Sequence, residues 1–283
     1  MSMAAESPSP GRRSPVPEPQ GDAIVGRIAV ADARRRLRFR LIFVATWIIV
    51  VGGLVAFLVA VDAVDLAWLQ PWVWYILGGV PLTILISVVS ISLAVVFALT
   101  GAMGRISTVA AVYALATLYV SIVRGTPLIV QIFFVWLALP QIWPGFGTVD
   151  LIWLAIFALS FNYGAYMTEI FRAGIQAVPR GQREAAAALG MTQRRIMARV
   201  VLPQAVRIVT PAVGNEFIAM IKDSALVSVM GVQELLWRAS TVGKSKFHTF
   251  ETLLLAAAVY WVLTMIFSYF QERLERRMAR SDR

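Results

Sequence analysis

The feature that most constrains this chain is a series of long runs without a charged residue. Leu41 to Val61 gives 21 such residues, Leu66 to Gly104 gives 39, and Thr252 to Gln271 gives 20. About 20 apolar residues in a helix cross the roughly 30 Å hydrocarbon core of a bilayer. Only 15% of the residues are charged, against roughly 25% in soluble domains. The sequence therefore predicts an all-α integral membrane protein and argues against a soluble one-domain enzyme.

Charges and turn residues divide the chain into six predicted spans. They cover residues 41–61, about 77–99, 106 to near 139, about 151–171, about 205–227 and 252–271. The run 66–104 is too long for one helix and barely enough for two. We favour one span after an interfacial segment with aromatic residues at 68–75, but two short spans are an alternative. Gly125 and Pro127 are expected to interrupt the third span.

Two polar tails flank the spans. Residues 1–40 are rich in proline and serine and then in arginine, so we predict a disordered, basic cytoplasmic tail. Residues 41–61 form an extra N-terminal transmembrane helix, 77–271 the main domain with a cytoplasmic region at 174–203, and 272–283 a second basic tail. Six spans put 21 of the 26 Lys and Arg residues on one side, which predicts that both termini are cytoplasmic. The net charge of +10 is thus mostly a topology signal, and we expect no nucleic-acid partner.

Catalytic and metal-binding side chains are scarce. The chain has no Cys and one His, His248, so thiolate nucleophiles and His-based metal clusters are excluded. Gly243-Lys244-Ser245 ends like a P-loop, but position 238 holds arginine where a P-loop has glycine. We therefore predict no catalytic site, no metal site and no cofactor in this chain. An intramembrane hydrolase would have to rely on a carboxylate pair, and none stands in a convincing context.

A short segment between the fourth and fifth predicted spans carries the most specific pattern. It reads Glu184-Ala185-Ala186-Ala187-Ala188-Leu189-Gly190 and is followed by Val200-Val201-Leu202-Pro203. Ala and Glu favour helix, glycine suits a helix C-terminus, and proline suits the first turn of the next helix. The pattern predicts a helix, a tight turn and a second helix. Its narrow alanine ridge could enter a groove on a partner, oriented by the charges of Arg183, Glu184, Arg194 and Arg195. An ordinary cytoplasmic loop helix fits the composition equally well.

This segment resembles the signature of the integral-membrane permease subunits of bacterial ATP-binding-cassette (ABC) importers. That signature is E-A-A, three residues, G, nine residues, I, any residue and L-P, and here Val200 replaces the usual isoleucine. Further stretches resemble the polar amino acid branch of the family, which serves His, Glu, Gln, Arg and opines. They are Gly79-Val80-Pro81-Leu82-Thr83, Arg124-Gly125-Thr126-Pro127, Tyr166 to Ile175, Lys222-Asp223-Ser224 and Gly231-Val232. The resemblance covers about residues 77–271.

The resemblance implies a type I permease domain of five helices with one added N-terminal helix, in the bacterial inner membrane. It implies two partner ATPase subunits that bind ATP and Mg, a second permease subunit, homologous or identical, and an external solute-binding protein. The implied ATPase-coupling residues are Arg183, Glu184, Ala185, Ala186, Gly190, Leu202 and Pro203. The implied function is a membrane pathway for a polar amino acid, with an opine or another amino-acid-like solute as the alternative. A stand-alone channel or secondary carrier is less favoured because it gives no reason for the Glu-Ala-Ala helix.

Polar residues at membrane depth are the candidates for the substrate pathway. A charge at mid-helix costs about 2.5–3.5 kcal/mol on insertion scales, so it usually faces a bundle interior or a water-filled cavity. The candidates are Arg124, Asn162, Tyr166, Glu169, Asn215, Glu216, Lys222 and Asp223. Arg124 could bind a substrate carboxylate, and one of the acidic residues its ammonium group. Equally, Glu169 could be interfacial beside Arg172, and Lys222 and Asp223 could neutralise one another.

Overall fold

The computed structural model describes residues 20–60 and 64–280 of the chain, and all regular structure in them is helical. The chain divides after Val64 into an N-terminal unit and a second unit, Asp65–Arg283. The prediction of an all-α protein is therefore confirmed for the described residues. The cytoplasmic location of the termini stays a prediction.

The N-terminal unit contains one helix, α1, Gln20–Ala60. Its second part forms the predicted first span. Residues 20–40 are helical and not disordered as predicted, because this segment has no proline and is rich in alanine and arginine, which are good helix formers. Residues 1–19 of the predicted N-terminal tail, residue 61 of the predicted span and residues 281–283 of the predicted C-terminal tail lie outside the described residues.

The second unit is a series of long helices joined by short ones. The first group is α2 Leu66–Leu69, a 3₁₀ turn Gln70–Trp72, α3 Val73–Leu77, α4 Val80–Arg105 and α5 Ala110–Gly125. Next come α6 Leu128–Phe133 and α7 Leu139–Ile142, joined by a π-helical turn at Phe134–Ala138, then a 3₁₀ turn Pro144–Thr148 and α8 Leu151–Ala177. The last group is α9 Arg180–Ala188, α10 Gln193–Ile196, a π-helical turn Met197–Val201, α11 Leu202–Asp223, a 3₁₀ segment Ser224–Met230, α12 Leu235–Lys246 and α13 Thr249–Arg280.

The long helices match the predicted spans. Five helical stretches among the described residues are long and apolar enough to cross a membrane, and a sixth arises if the bent pair 110–125 and 128–142 is one span. That pair bends by 108° at the predicted break, where Gly125 ends α5 and Pro127 precedes α6. Residues 66–104 contain one long helix, α4, after short helical pieces, which agrees with the one-span interpretation.

Close packing of α4 against α8 forms the centre of the second unit. Ala94, Ala98 and Ala102 are completely buried at four-residue spacing on α4. Small residues at this spacing let two membrane helices approach closely. A Cβ atom at Gly101 would overlap Thr168 of α8, and one at Gly164 would overlap Phe97 of α4. Each of the two helices therefore contributes a glycine at which the other helix comes into close contact.

We expect Gly101→Val to destabilise the fold, because the added side chain must displace Thr168 or separate α4 from α8. Overpacking of this kind typically costs about 1–3 kcal/mol. The change should lower the midpoint of thermal unfolding of the purified protein in detergent. Gly52→Val in α1 is the matched control, because no other group lies within 4 Å of a Cβ at Gly52. An equal effect of both substitutions would contradict the proposed contact.

Candidate functional site

Helix α9 contains residues 184–188 of the segment 184–190 and has two different faces. Ala186 is buried in a cluster with Ile175, Val178, Ile196, Val201 and Ala205. The opposite face is exposed and consists of Glu184, Ala185, Ala187 and Ala188, followed by Leu189, which is 83% exposed. The helix therefore has a fixed back and a small-residue ridge that is free to meet another protein.

Gly190 ends this helix as the sequence predicts. Its φ of 77° lies in the left-handed region, where glycine has no Cβ penalty. The Met191 N–H donates to the Ala186 carbonyl at 3.2 Å and the Gly190 N–H to the Ala187 carbonyl at 2.9 Å. These bonds satisfy carbonyls that the helix end leaves open. The turn directs the chain back, so that α10 packs beside α9.

Two side chains attach α9 to its neighbours. Arg183 donates a hydrogen bond to the carbonyl of Ile175, near the end of α8. Gln204 in the first turn of α11 donates to Gln182 at 2.6 Å. Leu202 and Pro203 lie in the same first turn, and the helical path runs from Gln193 through the π-helical turn into α11. Movement of α9 would therefore act directly on α8 and α11. The hydrogen bond that Arg183 donates goes to the backbone of this chain itself.

The side chain of Gln131 binds backbone carbonyls at the break between α5 and α6. The Gln131 amide on α6 donates to the carbonyls of Val123 at 2.7 Å and Thr126 at 3.1 Å. Its oxygen accepts a hydrogen bond from Asn162 of α8 at 3.1 Å. Non-helical backbone at membrane depth requires such internal partners. Asn162 thus stabilises the break through its hydrogen bond to Gln131. The sequence analysis missed Gln131, which lies four residues after Pro127.

Arg124 lies in the last turn of α5, beside the break. It is exposed, and its guanidinium is 5.3 Å from the centre of the Tyr166 ring on α8. A cation over an aromatic face is attracted by the ring quadrupole. Two of the predicted pathway residues are therefore in contact. No side-chain hydrogen bond joins Arg124 to another of the described residues, so its donors are available to a ligand.

A second polar contact lies between α8 and α11. The hydroxyl of Tyr163 donates to Asp223 Oδ2 at 2.8 Å. Lys222 is exposed, and no ion pair joins it to Asp223 within the described part of the chain. Glu216 is half-buried and Asn215 exposed, both on α11. The structure therefore shows no direct pairing of Lys222 with Asp223 among the described residues, and the alternative that the two charges neutralise one another stays untested. Tyr163 is a contact that the sequence analysis missed.

Glu169 belongs to an ionic network at the other end of α8. It pairs with Arg105 of α4 at 3.1 Å and with Arg172 at 2.7 Å. Arg105 also donates to Thr117 of α5 at 2.6 Å. The carboxylate is therefore already neutralised by two arginines, and this structure favours the interfacial interpretation of Glu169 over the substrate-pathway one.

An apolar cavity of about 520 Å³ lies beside the broken span. Its walls come from α5, α6, the following π turn, α7 and α8, and its polar lining residues are Thr126 and Gln131. On α8 it is lined by Phe157, Ala158 and Phe161, and the polar residues 162, 163 and 166 do not line it. Gln131 lines the cavity and also accepts a hydrogen bond from Asn162, so the cavity lies next to this polar contact.

A buried carboxyl group connects three helices at the opposite end of the unit from Glu169. Glu234 is fully buried and caps α12 by accepting from the Trp237 N–H at 2.8 Å. Its other oxygen accepts from Tyr260 of α13 at 2.5 Å and from Thr83 of α4 at 3.2 Å. Burial raises the pKa of Glu234, while these hydrogen bonds act in the opposite direction. The group holds α4, α12 and α13 together.

These features define a class of protein: a polytopic membrane protein with a broken span, polar side chains at membrane depth and a surface helix with an exposed alanine ridge. The tripeptide Gly243-Lys244-Ser245 belongs to the last turns of α12, where Gly243 packs against α13, and not to a phosphate-binding loop.

Comparison with known proteins defines the class further. Residues 91–280 match the family described as binding-protein-dependent transport system inner membrane component. The arginine transport system permease protein ArtQ of Bacillus subtilis is 38% identical over 212 residues, which cover 75% of this chain and 96% of ArtQ. The L-cystine transport system permease protein TcyB of the same organism is 37% identical, over 79% of this chain and 98% of TcyB.

Solved structures agree with this result. A crystal structure of an amino acid ABC transporter with histidines contains a chain that is 36% identical, with a TM-score of 0.69 and coverage of 76% of this chain and 99% of that one. The inward-facing methionine transporter MetNI, at 20% identity and a TM-score of 0.64, shares the fold. The chain belongs to the binding-protein-dependent transport system inner membrane component family. It is a multi-pass inner-membrane permease subunit of an ABC importer, as the resemblance implied.

Proposed function

We propose that this chain forms the membrane pathway for a polar amino acid and is driven by separate ATPase subunits that dock on α9. The observation that carries the proposal is the two-sided α9: its back packs on Ile175 and Ala205 while its alanine ridge and Leu189 are exposed. The relatives ArtQ and TcyB are permease proteins of arginine and L-cystine transport systems, which supports an amino acid as the substrate class.

The partners follow from the family and from the distribution of charge. An importer of this kind works with ATPase subunits and a substrate-binding protein. We propose two ATPases that carry ATP and Mg, and a second permease subunit, homologous or identical. The excess of Lys and Arg on one set of loops supports a cytoplasmic location for both termini, α9 and the ATPases, with the binding protein on the outer side. This chain then supplies movement and a pathway, and hydrolyses no ATP itself.

Coupling is proposed to pass from α9 into the bundle through its fixed contacts. Arg183 attaches α9 to the end of α8, and Gln182 attaches it to the first turn of α11. When the ATPases close on ATP, α9 is displaced and transmits that displacement to both helices. A rigid-body change of this kind favours one of two bundle states.

The substrate is proposed to pass the polar contacts of α8. Arg124 can bind the carboxylate of an amino acid in bidentate fashion, because its position over Tyr166 leaves its donors available. Asp223 and the half-buried Glu216 offer acceptors for the ammonium group. Asn162 acts through Gln131 to fix the break beside Arg124.

Reconstitution in liposomes tests the proposal. The chain, a candidate ATPase and a candidate binding protein should together accumulate one compound from a panel of arginine, glutamine, cystine and an opine, and only with ATP present. Accumulation of the opine alone would favour the alternative substrate class. Transport by this chain without the ATPase would contradict the proposal and indicate a secondary carrier.

A further inference from the structure

We propose that the arginines at the start of the first span form a collar that binds the headgroups of anionic phospholipids. Five arginines, Arg34, Arg35, Arg36, Arg38 and Arg40, stand within seven residues directly before the apolar run that begins at Leu41. No acidic residue lies among them. The proposal concerns this chain's own contact with lipid and does not depend on the proposed transport function.

The structure turns this charged stretch into a defined shape. Residues 34–40 belong to the continuous helix α1, which proceeds without a break into the apolar segment up to Ala60. At 1.5 Å per residue, the five arginines occupy about 9 Å along the helix axis. The headgroup layer on each side of a bilayer is about 5–8 Å thick. A helix whose apolar part fills the hydrocarbon core therefore places the arginines at the depth of the headgroups.

The arginines surround the helix and do not mark one face. At 100° per residue they leave no gap wider than about 120° around the axis. All five side chains are exposed, and none has an ion-pair partner among the described side chains. A protein that docks on one side would use one face. A ring of free cations fits a partner that approaches from every direction, as headgroup phosphates do.

The chemistry of the side chain favours the same ligand. Arginine binds phosphate with two parallel hydrogen bonds, so it gains more than a simple charge does. Basic residues near an anionic leaflet are attracted individually, and their contributions accumulate. The collar should therefore enrich anionic lipid around α1 relative to zwitterionic lipid.

A single-cysteine label tests the proposal on the full chain. The natural sequence has no cysteine, so Leu37→Cys offers one labelling site inside the collar, at a position that is 58% exposed. The variant is labelled with bimane and reconstituted in phosphatidylcholine. Two preparations are compared. One bilayer also contains a small fraction of phosphatidylglycerol that carries a spin label near its headgroup, and the other contains the same fraction of phosphatidylcholine labelled in the same way. Both leaflets have the same composition, so the orientation of the reconstituted protein does not affect the result.

We expect labelled phosphatidylglycerol to quench the fluorescence about fivefold more effectively than labelled phosphatidylcholine. Val59→Cys, at the other end of α1 and also exposed, is the matched control and should show no preference. Molar salt should remove the preference at position 37, because it shortens the Debye length to about 3 Å.

Variants of the collar give a second measurement. Replacing all five arginines by lysine should retain part of the preference, because the charge stays and the bidentate geometry is lost, and replacing them by glutamine should abolish it. If the glutamine variant fails to insert into the bilayer, the salt dependence of quenching in the Leu37→Cys protein still tests the proposal. Equal quenching by both lipids at position 37, or a preference that salt does not change, would overturn the proposal.

Discussion

Leu189→Asp is expected to abolish ATP-driven transport while the membrane domain stays folded. Leu189 is 83% exposed at the end of α9, so its replacement removes no internal contact of consequence. We expect Leu189 to act as a hot spot of the docking surface, and truncation of such a residue costs about 2–4 kcal/mol of binding free energy. The change should therefore weaken association with the ATPase by about 30- to 1,000-fold. Co-purification with the ATPase and ATP hydrolysis stimulated by the binding protein measure the effect.

Two further variants make this result specific to α9. Leu274→Asp introduces the same change at an exposed position of α13 and should leave association and transport unchanged. Glu184→Lys reverses a charge on the exposed ridge and should weaken coupling as well. Wild-type coupling in both α9 variants would contradict docking of the ATPase at this helix.

The second large effect is expected at Arg124. Arg124→Ala should reduce uptake by about 10- to 150-fold, since a hydrogen bond to a charged group contributes about 1.5–3 kcal/mol. The position is exposed at the end of α5, so assembly with the ATPase should be retained. ATP hydrolysis stimulated by the loaded binding protein should continue without matching uptake. Radiolabelled uptake and ATPase assays on the same liposomes measure both rates.

Conservative changes separate substrate binding from structure. Arg124→Lys retains the charge but not the bidentate geometry and should recover only part of the uptake. Tyr166→Phe retains the aromatic face below the guanidinium and should behave almost like the natural protein. Arg277→Ala, in the exposed last part of α13, is the control for loss of an arginine. Normal uptake by Arg124→Ala would remove this residue from the pathway.

The long-range organisation of this chain could be predicted because membranes impose simple rules. A run of uncharged residues must be helical to cross a bilayer, so the spans followed directly from the positions of the charges. Gly125, Pro127 and Gly190 have strong local preferences, and each stands where the chain breaks or turns as expected. In such cases one residue and its neighbours in sequence determine the outcome.

The contacts of the polar residues could not be predicted in the same way. Gln131 and Tyr163 were not among the candidates, because their contacts with Asn162 and Asp223 join different helices and do not follow from spacing along the chain. The pairing of Glu169 with Arg105 depends on how α4 lies against α8 and not on spacing along the chain. Residues 20–40 were misjudged because charge suggested disorder where helix propensity decided the result.

The hydrogen bond between Thr83 and Glu234 has a consequence for biosynthesis. The two residues are 151 positions apart, which corresponds to about 8–30 s at ordinary rates of translation. During that interval α4 is already made, and the Thr83 hydroxyl has only the carbonyl of Gly79, one turn earlier, as an internal partner. Tyr260 follows later still. This end of the bundle therefore closes only after Tyr260 of α13 has been made.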